Sequence, residues 1–154
     1  MVSTTTKHRG RPRKAYESIT ITADEYFRKF SELTLSEREK KSMEGITKWE
    51  LVTLKVILKL DYGTLAKLLN ITERVIYIHH PEEYFSQIIS DKIMGLVELY
   101  SYGFFIFGDM DVTCEWMLKP NVRLENLPPI DLIQTHSGLL EVRSALTDIL
   151  IGQY

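Results

Sequence analysis

Little in this chain is equipped for covalent chemistry. No nucleophile–base pair, phosphate-binding loop or metal-ligand spacing can be picked out of its 154 residues. His79 and His80 are adjacent, so on a helix they would diverge by about 100° and share no metal. Asp109 and Asp111 could pass for ligands of a hard cation, but Asp109 also fits a helix cap. The expectation is a protein with no catalytic residue, no cofactor and no metal. The residues suited to chemistry are of another kind. Arg9, Gly10, Arg11, Pro12, Arg13 and Lys14 set cations around a Gly and a Pro. Gly and Pro keep a backbone narrow and extended, so such a run can lie in the minor groove of A·T-rich DNA. Its arginines would then reach the acceptors on the groove floor.

That run resembles an AT-hook. Residues 1–14 hold Lys7, Arg9, Arg11, Arg13 and Lys14 and no acid, a charge of +5, which leaves −7 on the other 140 residues for a total of −2. A basic arm on an acidic body points to an anionic partner, with nucleic acid favoured over a merely solubilising tail. Residues 1–15 otherwise read as a disordered arm, being Ser, Thr and basic residues with almost nothing apolar.

The rest of the chain has a globular balance, with 44% hydrophobic and 26% charged residues. No run of 18 apolar residues occurs, which argues against a transmembrane helix, and a polar, basic start argues against a secretory signal. A lone cysteine, Cys114, rules out an intrachain disulfide and suits a reducing cytoplasm.

Helical periodicity begins at Asp24, read as the cap of a helix carrying Tyr26, Phe27 and Phe30. Ser36 with Glu39, and Thr47 with Glu50, read as capping boxes. Gly45 reads as a stop. Trp49, Leu51, Val52, Leu54, Val56, Leu58 and Leu60 give a broad apolar face, which Asp61-Tyr62-Gly63 interrupts. Thr64 and Thr72 read as caps of two short helices, the second ended by His79-His80-Pro81. Ser86 starts the longest helix, with Ile89, Ile93, Val97, Tyr100, Phe104 and Phe107 on one face and Gly108 as its stop. Asp109 caps a helix to about Leu118, and Pro129 opens one to about Gln134. Ser137 caps a last helix with an inner stripe of Leu139, Val142, Leu146 and Ile149. Only 19–22 alternates like a strand, so the fold class is all-α.

Within 48–80 the order helix, turn, short helix suggests a helix-turn-helix. Ala66 is small where helices cross, Asn70 tolerates a left-handed turn, and Ile71 plugs it. Thr72, Arg74 and Tyr77 then stand at the reading end, though only Arg74 can pair bidentately with guanine. A motif kept for packing or dimerisation is the competing reading.

The C-terminal stretch carries a more specific pattern. It runs through Phe107-Gly108-Asp109, then Trp116 with Pro120-Asn121 and Leu124, then Pro129-Ile130-Asp131-Leu132-Ile133. Gly138, Val142, Leu146, Ile149 and Gly152 close it. With Leu65-Ala66, Leu69-Asn70-Ile71-Thr72-Glu73-Arg74 upstream, residues 60–154 resemble the Xre/MbcA/ParS antitoxin family. Asn70 stands where that family usually has Gly, and Asn126-Leu127 where a Gly often precedes the proline box.

The resemblance implies an Xre-like helix-turn-helix followed by a small helical toxin-binding domain. The expected divisions are an arm at 1–15, a helical extension at 16–45, the helix-turn-helix at 46–85 and the toxin-binding domain at 86–154. It implies a cytoplasmic homodimer that binds operator DNA as an autorepressor. It also implies a partner, a RES-domain toxin that consumes NAD or ADP-ribosylates a target through an arginine-rich pocket. Expected contacts to that toxin are Glu141, Arg143, Asp148, Gln153 and Tyr154 on the last helix and tail, Tyr154 being either an anchor or a frayed end. The alternative is a DNA-binding regulator with no toxin partner.

Overall fold

A computed structural model of the chain describes residues 21–153; the arm from Arg9 to Lys14 and the terminal Tyr154 lie outside the described residues. Helix starts are set by side chains that accept the free N–H groups of each first turn. Thr22 caps α1 (Ala23–Glu32), accepting from Glu25 N at 3.2 Å. Thr34 and Glu37 form a capping box on α2 (Leu35–Glu44), as Thr47 and Glu50 do on α3 (Lys48–Ile57). Asp61 caps α4 (Tyr62–Leu69), and Thr72 precedes α5 (Glu73–Ile78) without a side-chain capping bond. Ser86 caps α6 (Gln87–Phe107) and Asp109 caps α7 (Met110–Leu118). A 3₁₀ turn (Val122–Leu124), α8 (Pro129–Leu132) and α9 (His136–Leu150) complete the fold. The protein is all-α, and the described residues form no strand beyond two isolated bridges.

Several boundaries differ from the sequence expectation, each for a local reason. Asp24 sits inside α1 rather than capping it, because Thr22 has already taken that role. The box on α2 is Thr34–Glu37, not Ser36–Glu39. Arg38 must already be one turn into α2 to reach back to the carbonyls of Phe30 and Ser31 at the end of α1. Helix α3 gives way at Lys59, not at 61–63. Lys59 has φ 56°, and Leu60 N donates to Lys55 O at 3.0 Å, a Schellman closure. Asp61 therefore caps α4, and Thr64 donates to it at 2.6 Å instead of capping. The face of α3 is also narrower than expected, with Val56 exposed and Ile57 buried. Helix α8 stops at Leu132. Thr135, not Ser137, caps α9, because Gly138 is already wedged against α8: a Cβ there would lie 1.8 Å from Leu132 O. Thr22 begins a helix, so it belongs to no strand; Ile19 and Thr20 lie outside the described residues.

One core runs from Phe27 to Leu146. Its axis is α6, which packs against α1, α2 and α4 as well as α7 and α9, so far more than one stripe of it is buried. Gly103 lets α7 come close, since a Cβ there would meet Thr113 Cγ2 at 2.5 Å. The loop before α6 is tied antiparallel to the start of α3, with Phe85 N donating to Ile46 O at 2.9 Å and Lys48 N to Glu83 O at 3.2 Å. The buried Ser90 hydroxyl serves the same joint, accepting from Ile46 N at 3.0 Å. The bundle therefore holds the α3–α5 region and the C-terminal helices on one common beam.

Candidate interaction surfaces

The α4–α5 pair is joined by a tight turn at Asn70. Asn70 takes φ 55° and ψ 46°, Ile71 N donates to Ala66 O at 3.0 Å and Asn70 N to Lys67 O at 3.1 Å. This is a Schellman closure in which Asn does what Gly usually does. Thr72, Arg74 and Tyr77 are all exposed on the α5 side of that turn. Tyr77 packs on Tyr62, with ring centroids 5.1 Å apart, and Lys55 Nζ sits 4.5 Å from the Tyr62 centroid. Lys48 caps the other end of α5, donating to Tyr77 O at 3.0 Å and His79 O at 2.8 Å.

The charge at this turn is mixed. The carboxylates of Glu73 and Asp61 converge on the first turn of α4: a Cβ on Gly63 would be 3.2 Å from Glu73 Oε1 and 3.3 Å from Asp61 Oδ1. Hydrogen bonds from Thr64 hold Asp61 below the usual carboxylate range. A phosphate approaching that turn would meet negative charge.

The C-terminal region is built on α6, α7 and α9. Asp109 Oδ1 accepts from Asp111 N at 2.7 Å and Val112 N at 3.1 Å, so Asp109 is a cap. Asn121 makes the corresponding turn, accepting from Arg123 N at 2.9 Å through its side chain and pairing with Leu127 through its backbone. Glu125 and Asn126 both take positive φ there, filling the place where a Gly was missed in the sequence. Trp116 packs on Phe107 with centroids 6.0 Å apart. Val142, Ala145 and Leu146 are buried, so α9 offers two outer flanks.

Those flanks separate the expected contact residues. On one, Arg123 Nε donates to Asp148 Oδ2 at 2.7 Å and the guanidinium lies 3.9 Å from Glu141. Glu141 and Asp148 thus face a cation of their own chain. On the other, Arg143 lies over Tyr102, 4.5 Å from the ring centroid. Gln153 is exposed, and its N–H donates to Asp148 O at 2.7 Å, with Gly152 at φ 74° closing α9. Sequence reading missed Tyr102, Phe105 and Arg123. Tyr102 and Phe105 sit off the apolar stripe of α6, and Arg123 is remote in sequence from the acids it meets.

Chemistry is poorly provided for among the described residues. Burial pushes the Cys114 thiol up to about 11, the wrong direction for a nucleophile. No group of three or more His, Cys, Asp and Glu among the described residues could hold a metal ion. A groove of about 390 Å³ between α4, α6 and α9 is lined mainly by Leu68, Leu69, Leu96, Ile133 and Leu139, with Lys92 and His136 at its edge. No described helix is long and apolar enough to cross a membrane. Fold and surfaces together present a helical bundle with exposed turns and two outer flanks on α9.

Its C-terminal part can be placed more closely. Residues 103–150 match the family of the antitoxin Xre/MbcA/ParS C-terminal toxin-binding domain. The matched stretch holds Trp116, Asn121 and Gly138 in the roles described above, Gly108 at φ 70° closing α6, and Pro129 opening α8. A search of curated proteins finds no match to the chain.

Proposed function

We propose that this chain is the antitoxin of a type II toxin–antitoxin pair, neutralising a RES-domain toxin by covering its active site and repressing its own operon. The observation that carries this reading is the toxin-binding domain at 103–150. The RES identity of the toxin, the homodimer and the cytoplasmic setting rest on the wider resemblance of residues 60–154. In that reading the chain performs no catalysis. An acidic body would also be steered toward an arginine-rich NAD pocket and would discourage entry of the anionic cofactor.

DNA binding is divided between two parts. Arg9, Gly10, Arg11, Pro12, Arg13 and Lys14 supply minor-groove and phosphate contacts. Thr72, Arg74 and Tyr77, on the helix-turn-helix formed by α4 and α5, supply a modest base contact. The carboxylates at α4 favour giving the arm the larger share.

The test is co-expression with the product of the neighbouring gene. The expected outcome is a stable complex, restored growth and cellular NAD maintained at its unstressed level. A RES-type neighbour that depletes NAD equally with and without this chain would overturn the proposal. Operator binding with no complex would instead favour a regulator acting alone.

A further inference from the structure

We propose that a ladder of Phe105, Tyr102 and Arg143, on the seam between α6 and α9, anchors the toxin, and that the toxin meets it with an apolar depression edged by a carboxylate. This rests on the antitoxin reading and adds to it the surface that does the gripping.

Helices α6 and α9 run parallel. Leu139 lies against Gly95 near one end, and Thr147 bonds Tyr102 further along both helices. Tyr102 Oη and Thr147 Oγ1 are 3.0 Å apart, which fixes the ring. Phe105, one turn on, stacks on Tyr102 with centroids 6.4 Å apart and planes 12° apart. Arg143 lies over the same ring. Leu150, seven residues after Arg143, continues that flank of α9 and is exposed.

Phe105 is 70% exposed on a helix whose other faces are covered by five neighbours. A scattered exposed apolar residue needs no explanation. Here the side chain stacks beside a ring that is itself hydrogen-bonded in place, so binding through it costs less ordering than an isolated aromatic would. Aromatic residues and Arg are also the types that dominate binding energy at protein interfaces.

Two observations choose the occupant. Phe105, Arg143, Thr147 and Leu150 all fall inside the matched toxin-binding stretch, and Tyr102 precedes it by one residue. Charge then describes the partner. Arg123, on the opposite flank, is matched by Asp148 and Glu141, whereas Arg143 has no ion-pair partner among the described residues. A cation held over a ring and lacking an acid is complemented by a carboxylate. A second copy is the competing occupant, since the exposed Glu98 shares the α6 face of Tyr102 and Phe105; the matched stretch favours the toxin.

The test measures affinity between the full-length chain and the toxin encoded beside it. The variants are Phe105→Ala, Arg143→Glu and, as a control exposed on α2 outside the matched stretch, Met43→Glu. Circular dichroism and thermal melting confirm that each folds. The expected result is a loss of about 30-fold or more for Phe105→Ala and for Arg143→Glu, with Met43→Glu close to wild type. Wild-type affinity in both ladder variants overturns the inference while leaving the antitoxin reading intact. No binding by the wild-type chain removes both. A wild-type dimer that Phe105→Ala converts to monomer, with toxin affinity unchanged, assigns the ladder to self-association and also overturns it.

Discussion

Asp24, in the first turn of α1, accepts the backbone N–H of Met110 at 2.9 Å, across 86 residues of chain. Met110 is the first residue of α7, so Asp24 and Asp109 together satisfy the free donors of one helix start. The N-terminal helix is thereby stitched to the start of α7, inside the matched stretch. Asp24→Ala is expected to lower stability by about 1 kcal/mol. Asp24→Asn, which keeps the acceptor oxygen, is expected to lose less. Urea unfolding compares the three; equal midpoints would show that water serves Met110 equally well.

Lys59 occupies the left-handed region at φ 56°, a conformation that disfavours a Cβ. Its ion pair with Asp111, at 2.8 Å, joins two exposed side chains and contributes little. Lys59→Gly is therefore expected to stabilise the fold by a few tenths to about 1 kcal/mol, after allowing for the freer unfolded chain. Thermal melting reads this directly, and a lower midpoint would mean the ion pair outweighs the backbone.

Acid should weaken the caps. Glu37 is held below its ordinary value of 4.5 by hydrogen bonds from Thr34, and Asp61 below 3.8 by those from Thr64. Glu25 is lowered in the same sense by Lys29. Carboxylates depressed on folding contribute stability that is fully present above their unfolded values and lost as pH falls through the folded ones. Stability is expected to hold from pH 7 to 5 and decline below about 4.5. Asp61→Asn keeps a capping oxygen and should make the decline shallower; an unchanged slope would remove Asp61 as a contributor.

Removing residues 2–14 is expected to weaken operator binding strongly and to reduce the salt dependence. Five neutralised phosphates correspond to a log–log slope contribution of about −4 to −5. Arg74→Ala should cost less in slope and act on base preference instead. Filter binding or anisotropy over a salt series checks both. If the shortened chain keeps the full slope, the cations that matter lie elsewhere.

Local signals carried much of the fold. Asn70, Gly108 and Gly152 each stop a helix where their tolerance of positive φ says they should. Thr47, Ser86 and Asp109 start helices because a short polar side chain can satisfy nearby N–H groups without help from the rest of the chain. The spaced pattern from Phe107 to Gly152 also identified the domain, since most of its members are turn or core residues with roles set by spacing. Competition between equivalent local patterns was not legible. Thr34–Glu37 and Ser36–Glu39 both satisfy the capping rule, and Arg38's reach to α1 selects between them. Nor were the partners of the two flanks of α9. The seven-residue spacing puts Glu141 and Asp148 on one side and Arg143 on the other, but only the fold brings Arg123 to the acids and Tyr102 under Arg143. Pairings of that kind depend on where a distant segment returns through space, and periodicity along one helix contains no record of that path.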